Sequence, residues 1–353
     1  MRTPNKSIRP DIPPTDGASS SSAVSKAIEL LLVYPATLGF CSKPPVGAAA
    51  ASAWLKPVMC GECMTGSSER FGWGLILPAI LVTFAILVLP LAFSFYVSFH
   101  RWDLTMVPSR LSGVGLRNYL SLLTDVEFWR VLRFTLLYTF ACVAGELVLG
   151  LALALLLNRA RFGQGIFISL LILPMMMAPI VTGLAWRLMF NPTYGAINQI
   201  FSLGTTAWLG DVYLAKLAVV VATIWQETPF VMVLLLAGLR SLPKEPFEAA
   251  VIDGAGWWQT LWHITLPLLK PVIMVTMLIR TIFEVRAFDI IWILTSGGPA
   301  GATETLSLMN FRISFRHFAI GPGAAMSWLM LVVTTLITLW YIYSLAQARK
   351  RDA

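Results

Sequence analysis

Charged residues are scarce in this chain of 353 residues, where Asp, Glu, Lys and Arg together make up only 12%. About a quarter of the residues in an average soluble protein are charged. Hydrophobic residues reach 57% of the sequence. This balance predicts a polytopic membrane protein and excludes an ordinary soluble domain.

Cysteine and histidine are also rare, with four and three copies. The cysteines give no disulfide framework. Cys60 and Cys63 form a single C-x-x-C without a second pair or a nearby histidine, so the remaining ligands of a metal site are missing. A membrane-bound redox enzyme would need a partner motif that the sequence lacks. We therefore expect neither a metal nor a redox role.

Nucleotide-binding motifs are missing as well. No Gly-x-x-x-x-Gly-Lys-Ser/Thr occurs, so the chain lacks the backbone cradle and the lysine that bind nucleotide phosphates. It cannot hydrolyse ATP alone, and we expect it to bind no cofactor. The net charge of +8 does not indicate nucleic acid, because the Lys and Arg residues lie in loops and tails rather than in a basic patch with interleaved aromatics. That distribution indicates membrane topology.

Residues 1–68 differ in composition from the remainder, with prolines at the start, a serine run and an alanine run. Residues 23–40 are moderately apolar but carry Lys, Glu and Pro, so they are not counted as a span. A cleaved signal peptide is not expected, since no basic start leads directly into an apolar core. The segment is interpreted either as a disordered cytoplasmic tail or as a mis-assigned start, with true initiation at Met59 or Met64.

Residues 69–353 are predicted to form one all-α membrane domain. Its apolar stretches are each long enough to cross ~30 Å of hydrocarbon at ~1.5 Å per residue. The six predicted spans are 71–99, 131–157, 166–189, 214–239, 271–294 and 322–345. An even number of spans puts both termini on one side of the membrane.

The distribution of basic residues predicts which side this is. Lys and Arg are denser in the loops at 158–165 and 240–270 and in the tail at 349–351 than in the longer alternate loops. Such loops stay in the cytoplasm. Both termini and the 240–270 loop of this multi-pass protein are therefore predicted to be cytoplasmic.

Four charged residues lie in the fifth predicted span: Arg280, Glu284, Arg286 and Asp289. A charge inside a span costs ~2.5–3.5 kcal/mol on insertion scales unless it meets a partner or water. At about 100° per residue, Arg280 and Glu284 share one side of a helix, and Arg286 and Asp289 share roughly the opposite side. The spacing predicts two self-paired faces. Glu284 and Asp289 are candidates for a transport pathway, although both pairs are equally compatible with a purely structural role.

Two further carboxylates are isolated, Glu146 in the second span and Glu227 in the fourth. Glu227 lies next to Trp225 and near Pro229. Proline frees a backbone carbonyl, and an aromatic ring can stack on the apolar face of a solute. Trp225 and Glu227 are therefore also candidate pathway residues. The alternative is that this sequence marks only a helix kink.

The polar loop between the fourth and fifth spans has its own pattern. Pro246 suits the first turn of a helix, and the Glu248 carboxylate meets the positive end of the helix dipole. The helix is predicted to run through Asp253 and to end at Gly254, which can adopt the left-handed conformation. It would present small alanines and one carboxylate to another protein.

A second short helix is predicted from Trp257 to about Thr265. Leu266–Pro267 should then break it and begin the next span, because proline disfavours helix in the preceding residue. The sequence thus predicts a helix, a glycine corner and a helix just outside the bilayer.

The spacing of this loop resembles the signature of permease subunits of binding-protein-dependent ABC importers: E-A-A, three residues, G, nine residues, I-x-L-P. The matching residues, together with Asp253 between them, are Glu248, Ala249, Ala250, Gly254, Ile264, Leu266 and Pro267. The resemblance implies the type I ABC permease fold. It also implies that the loop docks into a cleft on a separate ATPase subunit, which would bind ATP and Mg²⁺.

Other stretches are similar to the carbohydrate-uptake branch of this family, related to the maltose and glycerol-phosphate permease subunits. They include Trp102–Asp103, the residues 115–119 and the residues 294–299. The resemblance implies a second permease subunit, two ATPase subunits and an extracytoplasmic solute-binding protein as partners, and a sugar, polyol or sugar-like solute. The alternative is an ion-coupled secondary transporter that uses the intramembrane carboxylates as ion sites.

Overall fold

Helices account for most of the described chain. The computed structural model describes residues 67–105, 111–160 and 162–351, so the predictions for residues 1–66 lie outside it. In chain order the helices are α1 (Ser67–Ser98), α2 (Arg117–Thr124), α3 (Val126–Arg159), α4 (Gln164–Met176), α5 (Pro179–Met189), α6 (Ala196–Ile200), α7 (Val212–Ser241), α8 (Glu245–Ile252), α9 (Trp257–Thr260), α10 (Leu266–Val285), α11 (Asp289–Leu294), α12 (Leu306–Phe311) and α13 (Ile320–Arg351). Two π-helical segments, Leu261–Thr265 and Arg312–Arg316, and two short antiparallel strands, β1 (His100–Arg101) and β2 (Ser112–Gly113), complete the described elements.

Among the described residues, five helical runs are long and apolar enough to cross a membrane. They are Ile76–Ser98, Val126–Arg159, Val212–Ser241, Trp257–Val285 and Ile320–Ser344. The pair α4 and α5 gives a sixth span if the two helices are taken together. The prediction of a six-span helical membrane protein is confirmed on this count.

The third predicted span, 166–189, is not one straight helix. Its two halves meet at 92°, because Pro179 begins α5 and pushes Ala178 into an extended conformation. The break leaves backbone groups without helical partners. Gln226 of α7 satisfies one of them by donating from Nε2 to the Met177 carbonyl at 3.1 Å. A broken helix is tolerated in a membrane where its free backbone groups meet protein partners.

The fifth predicted span, 271–294, is placed too far along the chain. Helix α10 ends at Val285, and α11 starts again at Asp289. The continuous run begins earlier, at Trp257. The apolar stretch continues past residue 285, and the break falls at Arg286, whose backbone leaves the helical conformation. Because the apolar composition continues past this point, it does not indicate where the helix ends.

Helices α3 and α7 pack against each other more extensively than any other pair of the described elements. Glycines on α3 allow the two backbones to come close: a Cβ at Gly150 would lie 2.8 Å from Val231 Cγ1, and one at Gly145 would overlap Ile224 Cδ1. Small residues at helix contacts are typical of membrane bundles. Val231, Met232 and Leu235 are buried on the α7 side of this contact.

Helix α1 has few neighbours of its own. Most of its side chains between residues 76 and 96 are exposed, including Leu87 at 64%. Its end is held firmly, since Asn118 Nδ2 donates to the Ser98 carbonyl at 2.8 Å and Tyr119 donates to Ser98 Oγ at 2.7 Å. An apolar helix exposed nearly all round requires lipid or another subunit to cover it.

A helix corner and a charged cavity as the candidate functional site

The loop between the fourth and fifth long helices folds into a helix, a corner and a helix. Helix α8 carries Pro246 in its first turn and is followed by Asp253 and Gly254. Gly254 has a φ of +71°, the left-handed conformation that the sequence predicts for it. Gly256 then caps α9, and the Gln259 side chain accepts a hydrogen bond from the Gly256 N–H at 2.8 Å. We call residues 245–260 the corner.

The corner lies at the end of the bundle where α3 and α7 also end. The Arg159 guanidinium stands 4.9 Å from the centroid of the Trp257 ring, a cation–π contact. A cavity of about 620 Å³ separates Asn158 and Leu239 from Glu248. The carboxylate of Glu248 is therefore exposed at the edge of an open recess.

The exposed surface of α8 is not the one that the sequence predicts. Glu248 and Ala249 are exposed, but Ala250 is 6% exposed and packs into its own chain. The apolar residues at the end of the helix are exposed instead, Val251 at 78% and Ile252 at 86%. The exposed surface thus combines one carboxylate, one alanine and two branched aliphatic side chains.

Pro267 does not break the helix, which corrects the prediction of a stop at Leu266–Pro267. The chain widens into a π-helical turn over Leu261–Thr265, where the Leu266 N–H donates to the carbonyl of Leu261, five residues back. A π turn ahead of a proline gives its ring room and absorbs the missing donor. Ile264 and Leu266 are half-buried and Pro267 is exposed. The corner is therefore joined to α10 without interruption.

Arg280 forms ion pairs with three carboxylates, which lie on three helices in the interior of the bundle. Its Nε and Nη2 donate to the two carboxylate oxygens of Glu146 on α3 at 2.7 and 3.0 Å. Nη1 donates to Glu227 of α7 at 2.9 Å. Nη2 also pairs with Glu284 on its own helix, as the i, i+4 spacing predicts. We call these four residues the Arg280 cluster.

The Arg280 cluster borders a cavity of about 350 Å³. Its wall includes Glu227, Glu284 and Asp289, three of the four candidate pathway residues. Glu284 is 4% exposed, and its Oε2 atom has no hydrogen-bond partner in the described structure. A buried acceptor without a partner is costly, so a donor entering the cavity would be favoured here. Rings of Tyr138, Phe230, Phe283 and Phe288 also line the cavity.

The fourth candidate, Trp225, does not line this cavity. It is 42% exposed and contacts Trp186 of α5 edge to face, with ring centroids 5.8 Å apart. Arg286 and Asp289 are both exposed, and no ion pair joins them within the described residues. The predicted second self-paired face is therefore wrong, because the chain leaves the helix between the two residues.

The sequence missed that Glu146 belongs to the same cluster. Its side chain is 0% exposed, and a buried carboxylate in a membrane span requires a cation. The sequence contains Arg280 as a possible partner for Glu146, but helical spacing predicts only the pair of Arg280 with Glu284. Among the described residues, no group of three or more His, Cys, Asp or Glu has the arrangement of a metal site.

These features define a class: a multi-pass helical membrane protein with a charged interior cavity and an exposed helix corner at one end. The chain belongs to the family described as binding-protein-dependent transport system inner membrane component, whose family model matches residues 146–350. It is therefore a permease subunit of an ABC importer. Family membership decides against an ion-coupled secondary transporter.

Several curated proteins are similar over most of their length. The trehalose/maltose transport system permease protein MalF of Thermococcus litoralis is 41% identical over 77% of this chain and 92% of its own. The trehalose transport system permease protein SugA of Mycobacterium tuberculosis is 32% identical over 79% and 90%. The resemblance to carbohydrate-uptake permeases is thereby confirmed at the level of the sequence.

The fold is also similar to a solved structure, that of a bacterial ABC transporter involved in the import of the acidic polysaccharide alginate. The TM-score is 0.69 with 20% identity, over 79% of this chain and 96% of the other. At this identity the comparison supports the permease fold.

Proposed function

We propose that this chain forms, with a second permease subunit, the membrane pathway of an ATP-driven importer for a sugar, polyol or sugar-like solute. An extracytoplasmic binding protein would deliver the solute. Two ATPase subunits, which carry ATP and Mg²⁺, would drive transport by binding the cytoplasmic loops of the permeases, of which the corner is one. The observation that carries the proposal is the corner itself, with Glu248, Val251 and Ile252 exposed at its surface.

The exposure of the corner favours a protein partner on this side. Val251 and Ile252 would remain in water if nothing covered them, and burying each fully is worth about 1.5–3 kcal/mol. Glu248 adds one charge at the rim of the recess, where a cation on an ATPase subunit can pair with it. Asp253 and Gly254 set the direction of the chain between α8 and α9, so they would fix the angle at which a partner is met.

The interior cavity favours a neutral, hydroxyl-rich solute. Hydroxyl groups are donors that the free Oε2 of Glu284 can accept, and aromatic rings can pack on the apolar faces of a sugar. The relatives named for trehalose or for trehalose and maltose support the same class. Glu227, Glu284 and Asp289 are the residues that we assign to this pathway, whereas Trp225 would act only through its packing against α5.

The basic loops support the orientation that we propose. The corner and both termini would lie in the cytoplasm of a bacterium, and the opposite end of the bundle would face outwards across the inner membrane. The largely exposed α1 supports a second permease subunit, since lipid or a partner helix must cover its apolar sides.

The decisive experiment compares two changes in the corner with matched controls. Glu248→Ala removes the exposed carboxylate, and Glu245→Ala removes a second carboxylate from the first turn of the same helix. Gly254→Asp forces a side chain onto a residue at φ +71°, whereas Gly256→Asp alters a neighbouring glycine with an ordinary φ of −71°. The measurements are the ATPase bound per permease, solute-stimulated ATP hydrolysis and uptake.

We expect Glu248→Ala and Gly254→Asp to lower uptake and stimulated hydrolysis, with the larger loss of bound ATPase in Gly254→Asp. The backbone strain alone costs about 1 kcal/mol at such a position. Both control variants should retain most of the uptake and of the stimulated ATP hydrolysis. The amount of protein in the membrane should be unchanged in all four variants. Normal uptake and normal ATPase retention in both test variants would refute the docking role.

A further inference from the structure

A second, larger cavity lies at the end of the bundle opposite the corner, between α3 and α7. Its volume is about 780 Å³, and the loop at 299–302 also lines it. Its α3 wall runs from Val126 to Ala141, about 22 Å along the helix axis. The cavity is therefore a groove that starts at the end of the bundle and extends towards its middle.

The chemistry of the groove changes along its length. Three cations, Arg130, Arg133 and Lys216, line the part near the end of the bundle. Below them the wall is apolar and partly exposed, with Leu137 at 69% and Leu217 at 50%. The groove thus has a cationic rim and, below it, an apolar trough. This is the order in which a membrane lipid presents its head group and its acyl chains.

Two of the three cations have no carboxylate partner in the part of the chain that the structure describes. Arg130 pairs with Glu127 at 3.2 Å, but neither Arg133 nor Lys216 has an ion pair among the described residues. Lys216 is half-buried, and its Nζ stands 5.8 Å from the centroid of the Phe134 ring. An ammonium that is partly removed from water without a counter-ion favours an anion beside it.

The level of the rim fits the interface of a bilayer. Trp129 lines the groove at this height, is 46% exposed and donates from Nε1 to the Leu123 carbonyl at 2.8 Å. Tryptophan is enriched where membrane meets water. A cationic pocket between membrane helices attracts the phosphate of an anionic lipid, as basic pockets on the cytoplasmic side of membranes do.

We propose that this groove binds one anionic phospholipid, with its phosphate between Arg133 and Lys216 and an acyl chain along Leu137, Ala141, Leu217 and Val220. A free anion would use the rim and leave the apolar trough empty. A sugar would meet too few polar groups below the rim. With the orientation proposed above, the lipid would belong to the outer leaflet, but binding itself does not depend on that orientation.

The test measures retained lipid by native mass spectrometry of the full-length chain, purified in its complex after reconstitution with phosphatidylglycerol or with phosphatidylcholine. The charge variant is Arg133→Gln with Lys216→Gln. Its control is Arg101→Gln with Arg117→Gln, which removes two exposed cations outside the groove. The shape variant is Ala141→Phe, which fills the trough, and its control is Ala152→Phe at an exposed position on the same helix.

We expect the unmodified protein and both controls to retain one phosphatidylglycerol, and both groove variants to retain at least fivefold less. Phosphatidylcholine should be retained weakly by all, and inorganic phosphate should not displace the lipid. Equal retention of phosphatidylglycerol by all variants would refute the site. Loss in the charge variant alone, together with displacement by inorganic phosphate, would show a simple anion site. A separate cross-linking experiment with Ala141→Cys tests for a protein in the groove. Complete cross-linking of this variant to the second permease would show that a protein fills the groove and would refute the lipid site.

Discussion

Arg280 donates to both carboxylate oxygens of Glu146, at 2.7 and 3.0 Å, and this bidentate pair fixes α10 against α3. Glu146 is 0% exposed and Arg280 is 5% exposed at the side chain. With Glu227 and Glu284 also bound to the same guanidinium, one cation holds together three helices. The stability of the interior therefore depends more on Arg280 than on any one of its carboxylates.

Arg280→Met should consequently be among the most damaging single changes. It strands three carboxylates, and breaking a buried ion pair costs about 3–5 kcal/mol. Thermal unfolding and size-exclusion chromatography of the purified complex would measure the loss. Arg286→Met is the control, since Arg286 is exposed and lacks an ion pair among the described residues. Equal stability of the two variants would contradict a structural role for the cluster.

Glu284→Gln should be far milder than Arg280→Met. It removes one of three negative charges while Arg280 keeps its hydrogen bonds to Glu146 and Glu227.

The same reasoning predicts that adding Glu146→Gln to Arg280→Met recovers part of the lost stability, because one stranded charge is removed. Additive losses in this double-mutant cycle would show that the residues do not act as a unit.

Close packing of α3 and α7 gives a third prediction. Gly150→Leu places a side chain where even a Cβ meets Val231 Cγ1 at 2.8 Å. We expect a loss of 1 kcal/mol or more, about the cost of overpacking a well-packed core. Ala152→Leu, on an exposed side of the same helix, is the matched control and should leave the melting temperature unchanged. A similar melting temperature for both variants would contradict tight packing at Gly150.

Membrane topology can be tested with two exposed serines. Ser241→Cys lies just before the corner, and Ser112→Cys lies in β2 at the opposite end of the bundle. In a cysteine-free background, an impermeant thiol reagent should label Ser112→Cys from outside the cell. It should reach Ser241→Cys only from the cytoplasmic side. Labelling of Ser241→Cys from outside would overturn the proposed orientation.

The N-terminal segment gives a prediction from sequence alone. Its composition changes near residue 68, and the first apolar stretch begins at about residue 71. Deleting residues 2–63 should leave membrane insertion and uptake nearly intact. The measurement is uptake per amount of membrane-inserted protein, and a failure of the truncated chain to assemble would assign the segment a structural role.

Local features were the easiest to predict from the sequence. Long apolar runs gave the spans, and Gly254 gave the corner, because composition and a left-handed glycine act within a few residues. The bond between Arg280 and Glu146 joins residues 134 positions apart. Helical spacing shows which side a residue occupies but not which helix faces it, so this pair was not predictable.

Two errors concern where the helices end. Pro267 was expected to break the helix and residues 286–288 were expected to continue it, and the structure shows the reverse. The π turn accommodates a proline by widening, which a rule based on the α-helix does not include. Arg286 ends α10 within an apolar stretch, where no glycine or proline marks the stop.

The uninterrupted helix from the corner into the bundle has a mechanical consequence. The run Trp257–Val285 contains 29 residues, and Arg280 lies close to its far end. Trp257 is thus about 35 Å from the Arg280 cluster along the helix axis. A rotation of this run by about 5° around the Arg280 cluster would move Trp257 by roughly 3 Å, so a small tilt would displace the corner while Arg280 hardly moves.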